Sequence, residues 1–138
     1  MPELRNLVDT PLETIHAAFV DAFSQYEVPM DLPLERLDEM MRTRSYAPEL
    51  SVGAFEEGRL VAFALPGYRE AGGERLGYDI ATGVVQAAQN EGLGGVVVEE
   101  LLARGRAAGL TRFLLEVLVN NAAAQKVYAK RGFVTTRR

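Results

Sequence analysis

At 138 residues, with 48% hydrophobic and 25% charged side chains, the chain has the size and composition of one soluble globular domain rather than of a disordered, collagenous or membrane protein. Fifteen Lys+Arg against nineteen Asp+Glu leave a net charge of -4 with no dense basic block, which argues against a nucleic-acid partner. The absence of cysteine excludes disulfides, thiolate metal sites and a covalent intermediate on a cysteine.

The first ten residues, MPELRNLVDT, lack the basic region and apolar run of a signal peptide. No apolar stretch approaches the ~20 residues needed to cross a bilayer, so no membrane partner and a cytoplasmic location are expected. No linker or internal repeat divides the chain, and residues 1–138 read as a single domain.

Leu4, Leu7 and Val8 predict a short first strand. Thr10 as N-cap, Pro11 at the first helical position and Glu13 then predict a capping-box start. Leu12, Ile15, Phe19, Ala22 and Phe23 recur at helical spacing and carry that helix to about Gln25. Pro33 opens a second helix with Leu34, Leu37, Met40 and Met41 on one face.

From Leu50 the period changes. LSVGAFEEGRLVAFAL reads as two strands joined at Glu56-Glu57-Gly58-Arg59, GYREAGG as a further turn, and ERLGYDIATGVV as the next strand of an antiparallel meander.

After Gly92, Gly94 and Gly95, the residues Val97, Val98, Leu101, Leu102 and Ala108 repeat at helical spacing until Gly109, a C-cap candidate. TRFLLEVLV is apolar on both alternating faces, as in a strand covered by helices on two sides. Asn121 caps a last helix, AAAQKVYAKR, and FVTT is a closing strand. The fold class is α/β: a mixed, mostly antiparallel twisted sheet with helices on both faces.

The glycines raise a chemical question. A helix N-terminus presents backbone N–H groups with no intrahelical acceptor and carries about half a positive charge. Residues without a Cβ let an anion approach those amides, although a tight turn alone would also use glycine. No Gly-Lys-Ser/Thr follows, which argues against a Walker-type nucleotide loop, and Val97 stands where a dinucleotide fingerprint needs its third glycine.

The segment Gln89-Asn90-Glu91-Gly92-Leu93-Gly94 does follow Q-x-x-G-x-G, after a strand and before an amphipathic helix. It resembles the pyrophosphate loop of the GNAT superfamily of acyl-CoA-dependent N-acyltransferases. Residues 115–133, LEVLVNNAAAQKVYAKRGF, resemble that family's later motif, with Leu115, Glu116, Val117, Asn121, Ala124, Tyr128, Lys130, Gly132 and Phe133 in register. One helix separates the two motifs, and the order of elements agrees over nearly the whole chain.

The resemblance implies acetyl transfer from acetyl-CoA to a primary amine, of a small molecule or a peptide, by direct attack in a ternary complex. It implies that backbone amides of Gln89, Asn90, Glu91, Gly92, Leu93 and Gly94 hold the pyrophosphate, and that the backbone of Val84 and Val85 pairs with the pantetheine arm. It further implies that Asn121 bonds the cofactor arm and that Tyr128, near the thioester sulfur, is the catalytic acid for the leaving thiolate. No metal is implied. The alternative is a GNAT-like module that binds acyl-CoA without turnover.

Departures from the family pattern are Gln86 in place of a proline after the strand and Asn90 in place of a glycine. The chain also ends after the sixth strand, so a missing seventh strand and a homodimer covering that edge are expected. Base candidates are Asp79 and Tyr78 on the fourth strand and Glu27, Asp31 and Tyr26 between the first helices, while Leu76 occupies the position that the family register points to. His16 borders an apolar stripe, and Glu116 reads as a core carboxylate. Asp21, Glu27, Asp31, Glu35, Asp38 and Glu39 make the region of the first two helices acidic, which suits a cationic amine.

Overall fold

A computed structural model of the chain describes residues 2–24, 33–89, 91–110 and 112–114. Its elements are β1 (Glu3–Arg5), α1 (Leu12–Ala22), α2 (Leu34–Thr43), β2 (Val52–Glu56), β3 (Arg59–Ala71), β4 (Glu74–Val84), α3 (Leu93–Ala107) and β5 (Arg112–Leu114). Short 3-10 turns cover Pro48–Leu50 and Gln86–Ala88. The five described strands form one sheet in the order β1-β2-β3-β4-β5, antiparallel throughout except for the parallel β4–β5 pair.

The alternation along β3 builds two cores at once. Phe63 and Leu65 pack with Ile15, Phe19 and Phe23 of the α1 region and Leu37 and Met41 of α2. Ala62 and Ala64, with Val52 and Ala54 of β2, pack instead with Leu93, Val97 and Leu101 of α3. Small side chains on the second face let α3 lie close to the sheet, and large ones on the first fill the space under two helices. Phe19 and Phe63 are both fully buried, with ring centroids 6.3 Å apart; burying each ring contributes about 1.5–3 kcal/mol.

The mixed sheet with helices on both faces is the expected architecture, and several local expectations need correction. α1 starts one residue later than the capping box requires. Pro11 is its N-cap without a side-chain cap bond, and the Pro11 carbonyl accepts from the amides of Thr14 and Ile15 at 3.0 and 3.3 Å. Thr10 is already in the turn before the helix, its own amide bonded to the Leu7 carbonyl. α1 stops at Ala22 rather than near Gln25.

β1 is limited to Glu3–Arg5. Leu7 leaves the strand to enter the core, where its amide donates to the buried Ser51 hydroxyl at 2.8 Å, and Val8 is 52% exposed. The segment GYRE is strand rather than turn, because β3 pairs with β4 as far as Ala71↔Glu74 and the reversal is made by Gly72 and Gly73, both at positive φ. The turn at Glu57 and Gly58 is as expected, with both residues at positive φ as a two-residue hairpin requires.

A bulge interrupts the β3–β4 pairing between Leu65 and Pro66. Proline has no N–H to give to a ladder, and its carbonyl is used instead by Ala47 N–H at 2.9 Å. The last helix, the closing strand and β5 beyond Leu114 lie outside the described residues.

Candidate active site

The end of β4, the short turn after it and the start of α3 come together. Val84 lies opposite Ala62, and the Val85 amide donates to the Val61 carbonyl at 2.9 Å. That bond makes Ala62↔Val84 a non-hydrogen-bonded pair, so both backbone polar groups of Val84 face away from β3. The Gln89 side-chain amide donates to the Val84 carbonyl at 3.2 Å. Val85 is different: its amide is bonded within the sheet and its carbonyl accepts from Ala88 at 3.0 Å.

Gly92 is the N-cap of α3 at φ 77 and ψ 11, with no side-chain cap bond, and its carbonyl takes the first helical bond, from Val96 at 3.3 Å. The amides of Leu93, Gly94 and Gly95 therefore point out of the helix mouth. No acidic residue stands in the first turn, while Arg104 and Arg106 in the last turn complement the opposite pole. The positive end is left for something outside the helix to neutralise.

The side chains around the mouth divide the work. Leu93 is buried in the α3-side core, so it turns only its backbone to the mouth. Glu91 and Gly92 are exposed, and among the described residues a Cβ on Gly94 would touch Val84 Cγ2 alone, at 3.8 Å.

Of the residues expected from sequence, Val84, Val85, Gln89, Glu91, Gly92, Leu93 and Gly94 fall in this one region. Asn90, Asn121 and Tyr128 lie outside the described residues, as do Tyr26, Glu27, Asp31 and Glu116. Tyr78 is committed elsewhere: its hydroxyl donates to the Arg44 carbonyl, and its ring fills the space beside Gly67. Asp79 sits next to the bulge, half-buried, with both carboxylate oxygens accepting from the Thr82 hydroxyl at 2.9 Å. Leu76 pairs with Arg112, and His16 is half-buried on α1.

Sequence reasoning missed a contact that ties this region to α1. The Gln86 amide donates to Asp21 Oδ1 at 2.8 Å, and the Gln86 side chain reaches the Asp21 carbonyl and the Ser24 hydroxyl. Gln86 in the place of the family's proline was the available signal.

A cleft of about 540 Å³ opens elsewhere, among Leu7, Leu12, Ile15, Met41 and Tyr46, and none of residues 84–94 lines it. Among the described residues there is no cluster of potential metal ligands and no helix long and apolar enough to cross a membrane.

No curated protein matches the sequence significantly. Solved structures match over nearly the whole chain at low identity. Glucosamine-6-phosphate N-acetyltransferase of Arabidopsis thaliana is 18% identical, with 100% of this chain and 95% of that one covered and a TM-score of 0.70. The ribosomal-protein-S18-alanine N-acetyltransferase of Escherichia coli is 22% identical, with 96% and 77% covered and a TM-score of 0.77. AAC(6')-Iy, solved with the bisubstrate analogue CoA-S-monomethyl-acetylneamine, is 19% identical, with 100% and 94% covered and a TM-score of 0.73. At these identities the likeness concerns the fold. The sequence profile described as the acetyltransferase (GNAT) family matches residues 12–133, most of the chain, and the chain belongs to that family.

Proposed function

We propose that this protein is an N-acetyltransferase that moves an acetyl group from acetyl-CoA to a primary amine, the amine attacking the thioester directly, with the chain working as a single domain. The observation that carries the reading is the uncapped, glycine-lined mouth of α3 beside the outward-facing backbone of Val84. Such a mouth suits a pyrophosphate, because amides and helix dipole both favour a compact anion there. The match to AAC(6')-Iy, solved with a CoA bisubstrate analogue, supports a CoA-type cofactor.

In this reading Asn90, Glu91, Gly92, Leu93 and Gly94 offer backbone amides to the pyrophosphate, while Gln89, whose own amide is bonded to the Gln86 carbonyl at 3.2 Å, anchors the start of the loop instead of giving that amide. Val84 pairs with the pantetheine arm, the Gln89 side chain giving up the Val84 carbonyl when the arm arrives. Val85, whose backbone groups are already bonded, contributes its apolar side chain to the floor instead. Asn121 bonds the arm and Tyr128 protonates the departing thiolate, which lowers the barrier for collapse of the addition intermediate. Of the two base candidates on β4, Asp79 is the one assigned as general base, since the Tyr78 hydroxyl is held by the Arg44 carbonyl.

Calorimetric titration with acetyl-CoA, followed by a screen of amine acceptors, tests the reading. Saturable binding and acetylated product are expected, with Tyr128→Phe lowering turnover and leaving acetyl-CoA affinity nearly unchanged. Binding without turnover of any amine would make the chain an acyl-CoA sensor. No binding up to millimolar acetyl-CoA would end both readings.

A further inference from the structure

The contact between Asp21 and Gln86 has no counterpart in the motif and is costly for α1 taken alone. Asp21 stands in the last turn of α1, where the helix dipole disfavours a negative charge and no basic residue accompanies it. Phe23 caps the helix at φ -104 and is followed by Ser24, which is neither glycine nor at positive φ, so α1 lacks the left-handed glycine that commonly closes a helix. The end is completed by Ser24 and by a distant part of the chain. The Asp21 carbonyl accepts from Ser24 N–H at 3.3 Å, from the Ser24 hydroxyl at 2.8 Å and from the Gln86 side-chain amide at 3.4 Å, while Asp21 Oδ1 takes the Gln86 amide.

What Asp21 holds is the segment that leads into α3. Residues 86–88 form a single 3-10 turn, and among the described residues, its chain neighbours aside, nothing packs within 4 Å of a Cβ placed on Gly92. A segment of this kind must be fixed in place if its amides are to meet a ligand without a large ordering cost. Gln89 ties it to β4, and Gln86 ties it to α1.

We propose that Asp21 and Gln86 form a positioning pair that holds the loop before α3 in its cofactor-binding conformation by anchoring it to α1. The proposal rests on the acetyl-CoA reading above. Neither residue touches the cofactor in this scheme; both act through the loop.

The variants are Asp21→Ala, Asp21→Asn and Gln86→Pro. Val85 is at φ -61 and ψ 150, a conformation that a following proline favours, and proline suits the first position of the 3-10 turn. The turn's own bonds use the carbonyls of Val85 and Gln86, so Gln86→Pro keeps the turn and removes the tether. Asparagine at 21 keeps an oxygen for the Gln86 amide.

Two measurements on the full chain decide the matter: acetyl-CoA affinity by calorimetry, and amide hydrogen exchange without ligand. Asp21→Ala should weaken acetyl-CoA binding about tenfold, the effect of losing one charge-assisted hydrogen bond. It should also speed exchange in residues 86–92, and Asp21→Asn should restore most of both. In a Gln86→Pro background Asp21→Ala should change neither, because the partner is already gone.

If the wild-type chain binds acetyl-CoA and Asp21→Ala binds equally well with unchanged exchange, the positioning pair is overturned and the acetyl-CoA reading stands. If the wild-type chain does not bind, the acetyl-CoA reading falls and this proposal with it.

Discussion

A methyl group placed on Gly94 would stand 3.8 Å from Val84 Cγ2, an ordinary packing distance. The mouth of α3 therefore sits directly on the end of β4, and the two parts of the proposed cofactor site share one wall. Alanine fits at 94 and glutamine extends beyond it, while both are better helix formers than glycine by up to about 1 kcal/mol. Gly94→Ala should melt slightly higher and still bind acetyl-CoA. Gly94→Gln should fold as well and bind at least about tenfold more weakly, about 1.4 kcal/mol at 25 °C. Paired thermal melts and titrations check this, and full affinity in the glutamine variant would remove the pyrophosphate from the mouth of α3.

Gly92 is constrained by its backbone and not by space. At φ 77 a side chain is strained by about 1–2 kcal/mol, although among the described residues beyond its chain neighbours nothing lies in its way. Gly92→Leu should lose stability by about that amount and lose acetyl-CoA binding. Gly92→Asn should lose less of both, because asparagine tolerates the left-handed region. Equal losses in the two variants would mean that steric cover, rather than φ, limits this position.

The two polar residues of β4 that could serve as base should separate cleanly. Tyr78→Phe gives up the bond to the Arg44 carbonyl, about 1 kcal/mol of stability, and should retain turnover. Asp79→Asn keeps an oxygen for the Thr82 hydroxyl, so it should fold and bind acetyl-CoA normally while kcat falls. Steady-state kinetics on the two variants with one accepted amine measures this. Unaltered kcat in Asp79→Asn would dismiss that carboxylate as the base.

Tyr46 offers a pH test of the fold. Its hydroxyl is buried, with no partner at bonding geometry among the described residues, and burial pushes its pKa above the ordinary value of 10.0. A raised folded-state pKa contributes stability that is fully present below the unfolded pKa and is lost as pH rises through the folded one. Wild type should thus lose stability above pH 10, and Tyr46→Phe should lose less over the same range. Near neutral pH Tyr46→Phe should be at least as stable as wild type, since it removes an unsatisfied buried hydroxyl whose cost is about 1 kcal/mol or more. Denaturant melts at several pH values report both signs.

The sequence by itself determined the fold class, the meander of β2, β3 and β4, and the glycine mouth of α3. Each is written in a local code: period two in LVAFAL, period 3.6 after Gly95, and glycines at most of the described positions where φ turns positive. It also determined the family, because the glycine loop and the later motif stand in register along one chain. Asn121 and Tyr128 belong to that later motif, and what can be said of them still rests on it, since they lie outside the described residues.

Tertiary structure alone decided which polar groups meet. Val84 faces away from β3, and Val85 does not, because of where the β3–β4 bonds fall. The Tyr78 hydroxyl is taken by a carbonyl 34 residues away, and Asp21 reaches Gln86 across 65 residues of sequence. A side chain's local spacing states its face of a helix or strand. Its partner is set by how separate elements pack, and no local pattern records that.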